Sequence, residues 1–352
     1  MRGHGAGWQG MLVHSMPPRP LRFGLRFNSA SGPVHEVVRW AQLAEALGFD
    51  DVWYCQDLLQ RDAWVTLTAV AAATRRIRIG TCIVNPFSAS PAELAMRAAT
   101  LQEFSQGRFV LGIGPGDPPA LAWIGLRQRR PLTGLREAVE LIRRLLRGEE
   151  ATGNGAVFSG WTPDARLRFP IPAAPVPIYI GGQGPGVLEY MGEAGDGGLP
   201  IVFPPEVIDE VVARVRAGAA RAGRALGDFD LAACVWWSAG EAPEEAERAL
   251  RPLIAYYGPS LRPEVLAPVG LTPADFDAIR AAWRSQDAAR AAALVQPRMF
   301  RLAIVGDPAR LVERVRWLAD RGATQINIGP PLGLDKARAL RLTAEQVIAR
   351  FR

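Results

Sequence analysis

Eight short apolar runs alternate with amphipathic helical segments along this chain, and that alternation is the strongest constraint on its fold. The runs include "LRFGLRF" from Leu21, "DVWYC" from Asp51, "IRIGTCIV" from Ile77, "RFVLGIG" from Arg108 and "VPIYIGG" from Val176. A sixth ends "VLEYMGEAGDGGLPIV", and "FDLAACVWWSA" from Phe229 and "TQINIG" from Thr324 complete the set. Continuous apolar strands of this kind are buried on both faces, which calls for parallel strands covered by helices. The segments between them carry helix punctuation. "VHEVVRWAQLAEALGF" closes on Gly48, a C-cap residue, and "SPAELAMRAATLQEFSQG" opens on Ser90 as N-cap with Pro91 behind it. Eight βα units in 352 residues predict an α/β fold, a (β/α)8 TIM barrel rather than an open doubly wound sheet.

Two segments fall outside the repeat. Residues 149–175 read as a loop with a hairpin before the fifth strand, and residues 258–296 as extra helices after the seventh. Insertions at these points build the rim around a barrel's site. Residues 1–20 read as a disordered extension without the apolar core of a secretory signal, leaving residues 21–352 as one barrel domain. No window approaches 18 uninterrupted apolar residues, so no membrane span is expected.

The reactive residue types are scarce. All three histidines, His4, His14 and His35, lie near the start of the chain, which argues against a histidine base, a Ser-His-Asp triad or a histidine-held metal. Cys55, Cys82 and Cys234 are far apart in sequence and show no CxxC spacing, so no disulfide framework and no metal site is expected, and a reducing cytoplasm suits them. The net charge of +6 comes from basic residues spread along helices among acids, not from a stripe that would bind nucleic acid.

A barrel's active site sits at the C-terminal ends of its strands. Those ends offer Arg26; Gln56, Asp57 and Asp62; the stretch Cys82 to Pro86; Gly114, Gly116 and Asp117; Gly181 to Gly186; and Asn327 with Gly329. This set is rich in glycine and poor in nucleophiles, which suits a cofactor that carries the chemistry while the protein positions it. "GGQGPGVLEYMG" leads glycines 181, 182, 184 and 186 straight into a helix, which reads either as a site for a phosphate or as a tight βα turn that needs glycine for packing. Asp57 and Asp117 each have two readings, a catalytic carboxylate or a structural one, and Arg26 is either a site cation or an ordinary strand-end residue.

The motifs taken together resemble the bacterial-luciferase-like superfamily. Within it they are most similar to methylenetetrahydromethanopterin reductases, which use the deazaflavin coenzyme F420. The match runs from about residue 21 to 351 through "GFDDVWYCQDLLQRDAWVTLTAVAAAT", "IRIGTCIVNPFSASPAELA", "GRFVLGIGPGD", "RRPLTGLREAVELIRRLLRGE", "VPIYIGGQGPGVLEYMGEAGDG" and "GATQINIGPPLG". The resemblance implies a non-prolyl cis peptide at Cys82–Ile83 behind the deazaflavin ring. It implies Asp57 beside that ring, Asn85, Gly114 and Asp117 along the cleft, and Gly181, Gly182, Gln183 and Gly184 around the phosphate. It further implies hydride transfer to a small substrate, a methylene-tetrahydropterin or a related imine or carbonyl, and a homodimer. An FMN-dependent monooxygenase and a non-catalytic flavin-binding protein are the alternatives.

Three positions depart from the reductase pattern. Arg26 stands where the family has a glutamate, Leu58 where it often has a histidine, and Gly186 where it has a lysine. The first of these reverses the local field at the end of strand one.

Overall fold

The computed structural model describes residues 20–28 and 31–352, so the predicted N-terminal extension, Pro20 excepted, lies outside the described residues. Nine strands form one parallel sheet: β1 (Arg22–Phe27), β2 (Asp51–Tyr54), β3 (Arg78–Thr81), β4 (Phe109–Ile113), β5 (Ile178–Gly182), β6 (Gly197–Pro200), β7 (Asp230–Ala239), β8 (Ile304–Gly306) and β9 (Gln325–Leu332). The order β6-β5-β4-β3-β2-β1-β9-β7, with β6 also paired to β7, closes eight of them into a barrel. β8 lies outside the ring and pairs only along the C-terminal half of β7, Trp237 to Ala239. That three-residue strand was not foreseen, being too short to leave a pattern in the sequence.

The two predicted insertions differ in outcome. Residues 258–296 fold into short helices, including Pro263–Leu266, Asp277–Arg284 and Ala288–Ala293, and pack a small core of their own around Trp236 and Phe276. Residues 149–175 hold a single antiparallel bridge, Gly153 with Trp161, in place of the expected hairpin. The backbone donors that a hairpin ladder would use go to a side chain instead. Glu137 accepts from the N–H groups of Ala156, Val157 and Phe158 at 2.7, 3.0 and 2.9 Å.

Strand residues alternate between the helical layer and the barrel interior. In β1 the outward set is Phe23, Leu25 and Phe27, all in the main core. The inward set is Arg22, Gly24 and Arg26. The matching inward positions form three layers. The lowest holds Arg22, Asp51, Arg78, Tyr179, Asp230 and Gln325. The middle holds Trp53, Val110 and Ala232, and Gly24 and Gly80 leave room there for Trp53, since a Cβ on either would stand within 2.8 Å of its indole. The top layer opens at the barrel mouth.

The lowest layer is an ion network. Asp51, 1% exposed, accepts from Arg22 Nη2 at 2.9 Å, Arg78 Nε at 2.6 Å and Gln325 Nε2 at 2.7 Å. Asp230 accepts from Arg78 Nη2 at 3.2 Å and the Tyr179 hydroxyl at 2.9 Å. Removing one partner of a buried pair leaves uncompensated charge. Asp51→Ala is therefore expected to lower the stability of the barrel by about 3–5 kcal/mol, read from its urea midpoint. The exposed pair Arg97–Glu93 at 3.2 Å serves as comparison, and Arg97→Ala is expected to cost less than about 1 kcal/mol.

Candidate active site

The top layer of the barrel gathers Arg26 from β1, Cys55 just past β2, Cys82 just past β3, Cys234 from β7 and Asn327 from β9. Cys82 and Cys234 stand 3.8 Å apart, sulfur to sulfur, and Asn327 Nδ2 lies 3.3 Å from Cys234 Sγ. Arg26 donates from Nη2 to the Val235 carbonyl at 3.2 Å, and its Nε is buried without a hydrogen-bond partner. No carboxylate pairs with Arg26 among the ion pairs of the described residues. Burial works against its charge, but the Cys234, Cys55 and Cys82 sulfurs more than offset this and hold its pKa above the ordinary value.

Distance in sequence does not keep the cysteines apart in the fold. The three cysteines are remote in sequence but occupy inward positions on the neighbouring strands β2 and β3 and on β7, which stands across the barrel from β3. Burial opposes a charge on Cys234. The Cys82 thiol, Arg26 and Asn327 together outweigh it, leaving Cys234 below its ordinary pKa.

Above this layer the chain makes a bulge. Cys82 N–H still bonds to the Tyr54 carbonyl at 2.8 Å, and Val84 rejoins β4 through Gly112 and Gly114. The peptide between Cys82 and Ile83 is cis. Ile83 faces the mouth, half-buried, against Gly114 and Gly181. A Cβ on Gly181 would stand 2.4 Å from Ile83 Cγ2, and one on Gly114 would stand 2.4 Å from the Gly181 carbonyl oxygen. These glycines leave room for the Ile83 side chain, which packs over them and forms that side of the mouth.

The remaining predicted residues divide. Asn85 is buried and its Oδ1 accepts from the N–H groups of Phe87 and Ser88 at 3.0 and 2.9 Å, so it fixes the exit of the bulge. Gly116, at φ +79°, rests against the Asn85 side chain. Gly182 and Gln183 lead to Gly184, which starts the helix Pro185–Ala194 with no side-chain cap; Pro185 brings no N–H, and Val187 N–H bonds back to the Gly184 carbonyl at 2.9 Å. Asp57 lies half-buried in the loop after β2. It is close enough to Tyr257 that, after burial, its charge is the next cause raising that hydroxyl's pKa. Asp117 is turned away. It is exposed and caps the helix Pro118–Trp123 through Ala120 N–H at 3.3 Å, the structural one of its two readings.

Aromatic rings gather on the β7 side of the mouth, where Tyr257 lies near Asp57, Cys55 and Arg26. Phe203 and Trp236 stack at 4.4 Å and 11°, and Tyr257, at the end of the helix Pro243–Tyr257, follows Trp236 at 5.9 Å. The inward parity of β7 marks Trp236 from sequence, whereas Tyr257 reaches the mouth only through the packing of that helix.

The matching family model, luciferase-like monooxygenase, spans residues 21–325. The chain belongs to this family. It is 34% identical over 332 residues to a 5,10-methylenetetrahydromethanopterin reductase of Methanolobus tindarius, covering 93% of this chain and all of the relative. It is 31% identical over 356 residues to an F420-dependent glucose-6-phosphate dehydrogenase of Nakamurella multipartita, covering 96% of this chain and 98% of the relative. Among solved structures, the coenzyme F420-dependent tetrahydromethanopterin reductase of Methanopyrus kandleri superposes with a TM-score of 0.88 at 28% identity, over 95% of this chain and all of that one. Two different activities thus occur among relatives of comparable identity.

The packing of the mouth is testable by itself. Gly181→Ala is expected to push on Ile83 and to destabilise the protein by about 1–3 kcal/mol, measured by chemical denaturation. Gly184→Ala, where an added Cβ meets nothing within 4 Å, is expected to cost less than about 1 kcal/mol.

Proposed function

We propose that this protein is an F420-dependent oxidoreductase that reduces a methylene-tetrahydropterin or a related small imine. The observation that carries the reading is the mouth built from Ile83 packed over Gly114 and Gly181, with the aromatic rings of Phe203, Trp236 and Tyr257 on the β7 side. Full-length similarity to F420-dependent enzymes supports it. When bound, the deazaflavin supplies or accepts a hydride at its ring carbon C5.

The protein's own residues then have distinct tasks. Ile83 and the two glycines set the plane of the ring, and the uncapped helix start at Gly184 receives the phosphate. The aromatic rings press a flat substrate toward that plane and keep water out. Asp57 stands where a carboxylate can move a proton at the substrate nitrogen. Arg26 places an uncompensated guanidinium below the mouth, where it favours negative charge on the ring or the substrate. A cytoplasmic location and a homodimer complete the reading. Among the described residues, no helix is long and apolar enough to cross a membrane.

Titrating the apoprotein with F420 and with FMN tests the cofactor. Saturable F420 binding, at least 100-fold tighter than FMN, is expected, and tight FMN binding with none of the deazaflavin overturns the proposal. Asp57→Asn tests the chemistry. It is expected to lower kcat about 100-fold, the scale of a general acid or base, while the F420 Kd changes less than threefold.

A further inference from the structure

We infer that Cys82 and Cys234 form a reversible disulfide across the barrel mouth, a modification site that shifts the bulge there. Several observations converge on this pair. The sulfurs are already in contact at 3.8 Å. Bond formation at about 2.05 Å needs a further approach of under 2 Å. Cys82 makes the last ladder bond of β3, its N–H to the Tyr54 carbonyl at 2.8 Å, and opens the bulge, half-buried at the mouth. Cys234 is held in β7, 1% exposed, so the bulge is the side that moves.

The surroundings favour a thiolate. Arg26 has no carboxylate partner in the ion pairs of the described residues, its Nε is unsatisfied, and Asn327 Nδ2 approaches both sulfurs, at 3.3 and 3.9 Å. Cys82 and Cys234 share a thiol contact in which either sulfur can donate, and Cys55 also interacts with Cys82. Among the described residues, no three His, Cys, Asp or Glu side chains are arranged to hold a metal ion, so the cluster's chemistry is that of a thiol pair with a third thiol nearby.

The reaction uses hydrogen peroxide as oxidant. The Cys234 thiolate attacks one peroxide oxygen, the O–O bond breaks, and the hydroxide that leaves takes the Cys82 proton as water. The Cys82 thiolate then attacks the Cys234 sulfenic acid, the S–S bond forms, and hydroxide leaves. The two sulfurs lose two electrons and the two peroxide oxygens gain them. A dithiol reductant reverses the change by thiol–disulfide exchange. The site stands on the thiol geometry alone, while its consequence for the cofactor rests on the proposed function, because Ile83 follows Cys82 directly and forms one side of the mouth.

The experiment treats the full-length protein with stoichiometric peroxide and maps its peptides without reduction. A Cys82–Cys234 linkage with Cys55 free is expected, and it disappears in Cys234→Ala. Cys55→Ser is expected to form the same linkage, which guards against a misfolded Cys234→Ala protein. A Cys82–Cys55 linkage, a linkage between chains, or sulfinic acid without any linkage overturns the inference. F420 titration of the same samples reads the consequence. Oxidised protein is expected to bind at least tenfold more weakly and to recover with dithiothreitol. An F420 Kd unchanged by the linkage overturns the claim that the bulge shifts. A reduced protein that binds no F420 overturns the proposed function and leaves the peptide map to judge the thiol pair.

Discussion

The buried carboxylate of Asp51 ties four strands of this barrel together. It receives hydrogen bonds from residues on β1, β3 and β9 while itself standing on β2, and Arg78 and Gln325 carry the network on to Asp230 of β7. A closed ring of parallel strands has no free edge, so its interior must be filled or the strands cannot close. Charged groups fill the lowest layer here, and two of them, Arg22 and Arg78, remain partly exposed, which lessens the desolvation cost of the network. Trp53 lies directly above and donates to Gln325 at 2.9 Å, so the polar floor and the apolar middle are bonded to each other. The mouth gains a base that does not move.

That rigid base explains why the site can be built from so little. Its working surfaces are Ile83 packed over glycine on one side and aromatic rings on the β7 side, with Arg26 between. Glycine at 114 and 181 is a steric requirement at these positions: any side chain would meet Ile83 or the neighbouring strand. The aromatic rings adjoin the insertion after β7, whose small core packs on Trp236. The rim is thus tied to the barrel by the same residue that lines the mouth.

Much of this was legible in the sequence. Eight continuous apolar runs predict the closed parallel barrel, and strand ends locate Arg26, the Cys82–Ile83 stretch, Gly114 and Gly181 at one mouth. What escaped notice depends on contacts between remote strands. Cys55, Cys82 and Cys234 look unrelated at separations of 27 and 152 residues, and only the inward parity of β2, β3 and β7 places them in one layer. Counting in twos from Asp51, Arg78 and Asp230 reaches Cys55, Cys82 and Cys234 in two steps each, so the signal was present and needed the register to be read. Asp117 shows the opposite error. A carboxylate just past a glycine-rich strand end suggests chemistry, yet Pro118 behind it marks a helix start, and capping is what the geometry shows. The missing hairpin in 149–175 has no local cause, because Glu137, outside the segment, takes its backbone donors.

Arg26 decides how the mouth differs electrically from a site with a glutamate at that position. A carboxylate there would be the negative end of the top layer and would raise the pKa of every thiol around it. A guanidinium does the reverse, and the cost of burying its charge must be met by neighbours that can carry negative charge. The Val235 carbonyl is one, and the sulfur cluster is the other. The cation and the three cysteines are therefore one feature: without the thiols Arg26 would be an unpaired charge in a nearly dry layer, and without Arg26 the thiols would be inert packing groups.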